Sequence, residues 1–221
     1  MNVLVVAAHP DDEALGAGCA IAAHARAGDS VTVMFLTEGT AARDGATKAE
    51  AAERRACAEA AAKVLGVADL RFHDFADNAM DSLPLLDIVK AVERVATDVR
   101  PATVYAHHAC DLNVDHKIAA RAAFTCFRPV PGASATRLLS FEVPSATGWD
   151  FGGEPFVPNV FLDAHDLLET KLKAIEAYGP ELRPFPHVRS LEAIRARAVA
   201  WGTQAGLEAA EPFMLLREVM R

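Results

Sequence analysis

The first thirteen residues constrain the fold of this chain most, because a short apolar run there ends in a cluster of polar side chains. The apolar run is Val3-Leu4-Val5-Val6, and Ala7-Ala8-His9-Pro10-Asp11-Asp12-Glu13 follows it directly. A β-branched run of this length is typical of a buried strand, and open α/β sheets keep their sites at the carboxyl ends of such strands. The pattern therefore predicts an α/β protein whose functional site begins at His9.

The spacing within this cluster suits a metal site. His9 and Asp12 are three residues apart, so both side chains can converge on one point if Asp12 lies in the first turn of the following helix. They would supply two of the three protein ligands that a catalytic zinc usually keeps. Asp11 lies between them and is a candidate general base. The alternative is structural: Asp11 or Asp12 caps the helix, and Glu13 interacts with the helix dipole.

A second polar cluster follows another apolar run, Thr103-Val104-Tyr105-Ala106. It begins His107-His108-Ala109-Cys110-Asp111 and continues Leu112-Asn113-Val114-Asp115-His116. So many imidazoles and carboxylates at a strand exit indicate a site. We expect His116 to be the third metal ligand and Asp115 to set the orientation and tautomer of a nearby histidine. The other polar residues remain for substrate contacts, oxyanion stabilisation or loop hydrogen bonds: His107, His108, Asp111 and Asn113.

The remaining pattern alternates strands and helices. Further strands are expected at residues 31–36, 70–73, 138–143 and 159–163, and helices at 14–27, 48–65, 84–99, 117–127, 167–178 and 191–203. This order predicts one α/β domain, 1–221, with a mostly parallel sheet. The proline- and glycine-rich C-terminal region is expected to cap the sheet and shape the pocket. Residues 41–47 are expected to form a flexible loop over the same sheet edge.

Two residues outside the clusters are candidates for substrate binding. Arg54 lies in the helix expected at 48–65, and its planar guanidinium suits a hydroxyl-rich or phosphorylated substrate. The alternative for Arg54 is a solvated pairing with glutamates of its own helix. His187 lies in a proline-rich turn, where it either makes a loop hydrogen bond or contributes to the pocket.

Composition narrows the class of partner. The net charge of −8 gives no general attraction to nucleic acid or to an anionic membrane surface. The sequence shows no apolar stretch of transmembrane length and no basic segment of a signal peptide at its start, so we expect a cytoplasmic protein without membrane insertion. The four cysteines form no Cys-x-x-Cys pair and are expected to be free thiols. The apolar composition leaves room for a homo-oligomer.

Taken together, the two clusters resemble those of the PIG-L/LmbE-like family of zinc-dependent N-acetylglucosaminyl deacetylases. The resemblance rests on Ala8-His9-Pro10-Asp11-Asp12-Glu13 and on Asn113-Val114-Asp115-His116. The order of strands and helices is similar to that family's Rossmann-like three-layer sandwich. The resemblance implies one zinc per chain at His9, Asp12 and His116, with Asp11 as general base and Arg54 near the substrate.

The chain departs from the family pattern at two positions. Many members carry a histidine three residues before the second ligand histidine, where this chain has Asn113, and an acid one turn after the family arginine, where it has Cys57. An amide can donate a hydrogen bond to an oxyanion but cannot protonate a leaving amine. The proton donor would then be Asp11, His107 or His108.

The resemblance implies hydrolysis of the N-acetyl group of an amino sugar or its conjugate, releasing acetate, with Fe²⁺ as an alternative to Zn²⁺. Two other functions stay open. One is a metal-dependent hydratase or lyase acting on a small carboxylated substrate. The other is a non-catalytic, metal-binding Rossmann-like module. Dinucleotide binding is disfavoured, because the turn after the first strand carries acids and no Gly-x-Gly-x-x-Gly.

Overall fold

A seven-stranded sheet forms the centre of the molecule. The computed structural model describes residues 1–40, 45, 47–149 and 151–220. In chain order the strands are β1 Asn2–Ala7, β2 Ser30–Thr37, β3 Asp69–Phe75, β4 Thr103–His107, β5 Arg137–Phe141, β6 Val160–Asp163 and β7 Ala210–Glu218. Their order across the sheet is β3-β2-β1-β4-β5-β7-β6. The first five strands pair in parallel, whereas β7 runs antiparallel to β5 and β6.

Helices cover both faces of this sheet. They are α1 Asp12–Arg26, α2 Lys48–Leu65, α3 Leu85–Val99, α4 Val114–Cys126, α5 Leu168–Glu176 and α6 Leu191–Ala205, with short 3-10 turns at Met80–Ser82 and Gly179–Glu181. Because side chains alternate along a strand, Val3 and Val5 pack with α1, α2 and α5, and Leu4 and Val6 pack with α3 and α4. The predicted three-layer α/β fold with a mostly parallel sheet is confirmed.

The topology brings the two polar clusters to one edge of the sheet. β1 and β4 are neighbours in parallel register, with Val6 opposite Ala106. Their carboxyl ends therefore lie side by side, and the segments that follow them leave the sheet together. α1 begins at Asp12 and α4 at Val114, so each cluster runs into the first turn of a helix.

Helix α1 is interrupted after its first turns, at Ala17, where φ is −138° and ψ is 19°. The backbone N–H groups of Cys19 and Ala20 donate to the carboxylate of Glu211 on β7, at 3.0 and 2.7 Å. Lys171 on α5 is paired with the same carboxylate at 2.7 Å. The carboxylate of this buried ion pair thus accepts hydrogen bonds from backbone N–H groups that follow the interruption in α1.

The C-terminal part of the chain extends the sheet as well as shaping its edge. β7 lies between β5 and β6, although the sequence pattern did not predict a strand there. The expected loop at residues 41–47 lies outside the described residues, apart from Gly45 and Thr47. Among the described helices, none is long and apolar enough to cross a bilayer.

Helix α1 packs closely against the sheet at Gly16. A Cβ at this position would lie 2.2 Å from Cδ2 of Phe141, whose side chain is fully buried. We expect Gly16→Ala to lower the free energy of unfolding by about 1–3 kcal/mol through overpacking, in spite of alanine's higher helix propensity. Urea denaturation would measure it. Gly179→Ala is the control, because its Cβ would meet nothing within 4 Å; equal effects of the two changes would contradict the prediction.

Candidate metal centre and active site

Three side chains from two separate segments meet at the carboxyl ends of β1 and β4. His9 Nδ1 lies 3.2 Å from Asp12 Oδ2, and His116 Nε2 lies 3.3 Å from each of these two atoms. All three residues are buried. The fold explains this meeting, because His9 immediately follows β1 while Asp12 and His116 lie in the first turns of α1 and α4.

The three donor atoms fit a divalent metal ion. A tetrahedral zinc with bonds of about 2.0–2.1 Å separates its ligand atoms by about 3.3–3.4 Å, close to the observed spacing. The second carboxylate oxygen of Asp12 is buried and has no hydrogen-bond partner among the described residues. Two imidazole nitrogens and a carboxylate suit zinc and also iron(II). The cluster is therefore able to bind a metal.

Asp115 contacts His9, although it is the sequence neighbour of His116. Its Oδ2 lies 3.1 Å from His9 Nε2 and accepts the backbone N–H of Asn78 at 2.6 Å. Its Oδ1 accepts the backbone N–H of Met80 at 3.1 Å. Because Nε2 of His9 faces this carboxylate, Nδ1 faces the metal-binding cluster. Asp115 is thus placed to orient a ligand from outside the ligand set.

Asp111 lies behind His116 and does not line the cavity that opens over the cluster, so the substrate contact expected of it stays a prediction. Its Oδ1 lies 3.2 Å from His116 Nδ1, and its Oδ2 accepts the Thr147 hydroxyl at 2.6 Å. The side chain is fully buried, and the backbone of Asp111 forms an isolated antiparallel bridge with that of Thr147. Its geometry is that of a carboxylate that orients a histidine.

His107 and His108 are also kept from the cavity. His107 is buried and accepts the backbone N–H of Ala8 on Nε2 at 2.9 Å. Burial and the neighbouring His116 lower the pKa of His107 to about 4, so it stays neutral. His108 Nε2 lies 3.0 Å from the carbonyl oxygen of Glu154, and its ring packs against Phe156. His108 does not line the cavity over the metal-binding cluster, and the substrate contact expected of it stays a prediction.

Asp11 occupies the N-cap position of α1, but its carboxylate does not cap the helix. Its φ is 129°, a backbone conformation that residues other than glycine rarely adopt. The backbone N–H donates to Glu13 Oε2 at 3.1 Å. The carboxylate instead meets two arginines, with Oδ2 at 2.9 Å from Arg189 Nη1 and at 3.8 Å from Arg54 Nη1. The capping alternative for Asp11 is therefore not observed.

A cavity of about 450 Å³ opens over the cluster. Its walls include His9, Asp11 and His116, together with three other residues predicted from the sequence: Arg54, Asn113 and His187. Asp77 also lines this cavity; the sequence left it open as either a turn residue or part of the site. Sequence reasoning missed Glu181 and Arg189, which line the same cavity. Asp77 Oδ1 lies 3.2 Å from His9 Nε2.

Asn113 is the N-cap residue of α4. Its side-chain oxygen accepts the backbone N–H groups of Asp115 and His116, at 2.8 and 3.3 Å. Its amide nitrogen donates to Asn78 Oδ1 at 2.9 Å. The residue that replaces the family histidine therefore fixes the start of the helix that carries His116.

Both histidines of the cluster hold a proton more tightly than a free imidazole does. Burial lowers the pKa of His116, but Asp12 and Asp111 outweigh that effect and raise it to about 9. Burial also acts to lower the pKa of His9, and three neighbouring carboxylates raise it well above its ordinary value. In the opposite sense, burial acts to raise the pKa of Asp12, but its histidine neighbours hold it well below the ordinary range.

The fold and the cluster define a class of protein: an α/β enzyme with a His-Asp-His site for a metal at the carboxyl edge of a parallel sheet. The chain belongs to the PIG-L family, because the family's sequence model, described as GlcNAc-PI de-N-acetylase, matches residues 4–127, more than half of the chain. Its family and its similar proteins place it among the deacetylases, hydrolases that act on amides.

Individual proteins similar to this chain agree with that assignment in part. YaiS of Escherichia coli (strain K12), named as an uncharacterized deacetylase, is 29% identical over 183 residues, which are 80% of this chain and 90% of YaiS. The N,N'-diacetylchitobiose deacetylase of Pyrococcus horikoshii has the same fold, with a TM-score of 0.78 and 23% identity over 97% of this chain and 83% of that one. GalB of Pseudomonas putida KT2440, a 4-carboxy-2-hydroxymuconate hydratase, has a TM-score of 0.80 and 26% identity, over 100% of this chain and 98% of that one.

Metal binding is expected to release protons at neutral pH. With a pKa of about 9, His116 is protonated at pH 7, and an imidazole must lose that proton before it binds a metal. Metal affinity should therefore increase as the pH rises through this range. Calorimetric titration of chelator-treated protein with Zn²⁺, in two buffers of different ionisation enthalpy, should show at least one proton released per ion. Identical apparent enthalpies in the two buffers would contradict the prediction.

Replacing Asp111 separates an orienting role from a substrate contact. We expect Asp111→Asn to weaken metal affinity by about 10–100-fold, because His116 loses the carboxylate behind Nδ1. Competition with a chromophoric chelator would measure the change, and Asp74→Asn, at an exposed position, is the control. An unchanged metal affinity together with a raised KM would instead favour the substrate contact expected from the sequence.

Proposed function

We propose that the protein is a zinc-dependent deacetylase that removes the N-acetyl group from an amino sugar or its conjugate and releases acetate. The observation that carries this proposal is that His9, Asp12 and His116 form one cluster, and that His9 and His116 line the same cavity as Asp11, a carboxylate outside the ligand set. Membership of the PIG-L family supports amide hydrolysis, and the diacetylchitobiose deacetylase supports a sugar substrate.

The metal would be held by His9, Asp12 and His116. When bound there, it would polarise the amide carbonyl and lower the pKa of water towards about 7. Asp115 and Asp111 would keep the two imidazole ligands in place from behind, at 3.1 and 3.2 Å.

Asp11 is the proposed general base. Burial raises the pKa of its carboxyl group, and the positive charges of Arg189 and Arg54 act against burial by favouring the ionised form. The ionised carboxylate accepts a proton from the attacking water. The leaving nitrogen needs a proton when the C–N bond breaks, and neither His107 nor His108 lines the cavity. Asp11 is therefore also proposed to return its proton to that nitrogen.

Three cavity residues are proposed to contact the substrate. Asn113 Nδ2 carries two hydrogens and donates one of them to Asn78, so the second is available to a developing negative charge on the carbonyl oxygen. His187 Nδ1 accepts the backbone N–H of Arg189 at 3.1 Å, which leaves Nε2–H of the neutral ring as a donor. Arg54 Nε is buried and has no hydrogen-bond partner in the described part of the chain. Its guanidinium suits hydroxyl or phosphate oxygens.

Substitutions of the base and of a ligand should have different effects. We expect Asp11→Asn to keep one zinc per chain and to lose turnover by about 10²–10⁴-fold, because the proton acceptor is removed. His116→Ala should lose both zinc and activity. Elemental mass spectrometry and an acetate-release assay on a panel of N-acetylated sugars would measure both quantities, with Asp74→Asn as a surface control. Wild-type turnover in metal-loaded Asp11→Asn would overturn the role of Asp11.

The same assay tests the other functions. The family and YaiS favour deacetylation over the hydratase chemistry of GalB. A metal-loaded protein that releases no acetate but hydrates a small unsaturated carboxylate would establish the hydratase instead. A protein that takes up neither Zn²⁺ nor Fe²⁺ would contradict the metal-dependent mechanism.

A further inference from the structure

Arg189 connects the C-terminal part of the chain, which lies beyond the family match at residues 4–127, to the proposed base. It precedes α6. Its Nη1 donates to Asp11 Oδ2 at 2.9 Å, and its Nε donates to Ser145 Oγ at 3.0 Å. Glu181 Oε2 lies 3.5 Å from Nη1. The guanidinium is therefore fixed between the loop after β5 and the start of α1.

The two carboxylate oxygens of Asp11 have different surroundings. Oδ2 faces both Arg189 and Arg54, and the contact with Arg189 is the shorter by about 1 Å. Oδ1 is paired with none of the hydrogen-bond donors in the described ranges, and Asp11 lines the cavity. The bond to Arg189 thus occupies one oxygen and leaves the other to accept a proton.

Nothing in α1 itself fixes the direction of this carboxylate. Asp11 has a φ of 129°, its side chain does not cap the helix, and its backbone N–H is directed to Glu13. The side chain is buried, so an ionised carboxylate here requires a charged partner. The orientation of Asp11 therefore depends on a residue far away in the sequence.

We propose that Arg189 is a positioning residue for the deacetylation: by holding Oδ2, it turns Asp11 so that Oδ1 faces the reacting water. This inference rests on the proposed function, in which Asp11 is the general base. Arg183 provides a matched comparison. It lines the same cavity, but its Nη1 donates to the backbone carbonyls of Pro180 and Leu182 at 2.8 and 2.9 Å.

The first test is structural and needs no substrate. Crystal structures of the zinc-loaded wild type and of zinc-loaded Arg189→Met, which keeps most of the side-chain volume, would be compared at Asp11. We expect the Asp11 carboxylate to leave its wild-type orientation in the variant while His9, Asp12 and His116 still bind zinc. An unchanged Asp11 carboxylate would overturn the inference, whatever the substrate of the enzyme is.

The second test is a double-mutant cycle on acetate release. We expect Arg189→Met to lower kcat by about 10–100-fold with KM changed by less than about twofold, and Arg189→Lys to recover part of the loss. In the Asp11→Asn background the same change should cost less than about twofold, because Arg189 acts through Asp11. Arg183→Met should have the same effect in both backgrounds.

The outcomes distinguish failure of this inference from failure of the proposed function. An Arg189→Met loss that is equal in the wild-type and Asp11→Asn backgrounds would overturn the action through Asp11. A zinc-loaded wild type that releases no acetate would refute the deacetylase function, and the crystallographic comparison would then decide the role of Arg189 in holding Asp11 on its own.

Discussion

The site depends on a buried excess of negative charge at the carboxyl ends of β1 and β4. Four buried aspartates, Asp12, Asp77, Asp111 and Asp115, lie within 3.3 Å of the imidazole nitrogens of His9 and His116. Buried carboxylates are costly unless positive charge compensates them. The neighbouring carboxylates raise the pKa of both histidines, which favours protonated imidazoles as the compensating charge. A divalent ion bound by this cluster would replace such protons, so metal binding is expected to be coupled to proton release.

The N-terminal motif is held in place by residues far away in the sequence. Tyr178 donates to Glu13 Oε1 at 2.6 Å, and Glu13 in turn accepts the backbone N–H of the strained Asp11. The pair of Lys171 and Glu211 satisfies the interrupted helix α1 a little further on. The motif has the residues that the chemistry needs, but their orientation depends on α5, β7 and the turn before α6. The family match at residues 4–127 therefore covers His9, Asp12 and His116 but none of the distant side chains that contact the start of α1: Lys171, Tyr178 and Arg189.

Much of the fold follows from local patterns, whereas the missed features involve contacts that no local pattern encodes. Strands β1, β2, β4, β5 and β6 contain short apolar runs, α3 and α5 have a clear apolar face, and the other helices are rich in alanine. The polar clusters stand where strands end. The strand Ala210–Glu218 was missed because Pro212 within a short run argues against a strand, yet here it pairs with β6 opposite Phe161. Arg189 was missed as a site residue because it becomes significant only when the turn before α6 reaches Asp11, 178 residues away.

The second cluster shows why sequence neighbours are a poor guide to which side chains act together. Asp115 precedes His116, but adjacent residues in a helical turn point in different directions, so Asp115 reaches His9 instead. Asp111 comes before α4 in the chain and folds back behind His116. Asn113 lies between them and caps the helix, which sets the direction of both residues that follow. At this position a histidine would have to leave two backbone N–H groups to another acceptor. The asparagine therefore exchanges a possible proton donor for a fixed helix start, and this makes the proton on Asp11, and the arginine that holds Asp11, more important to the proposed reaction.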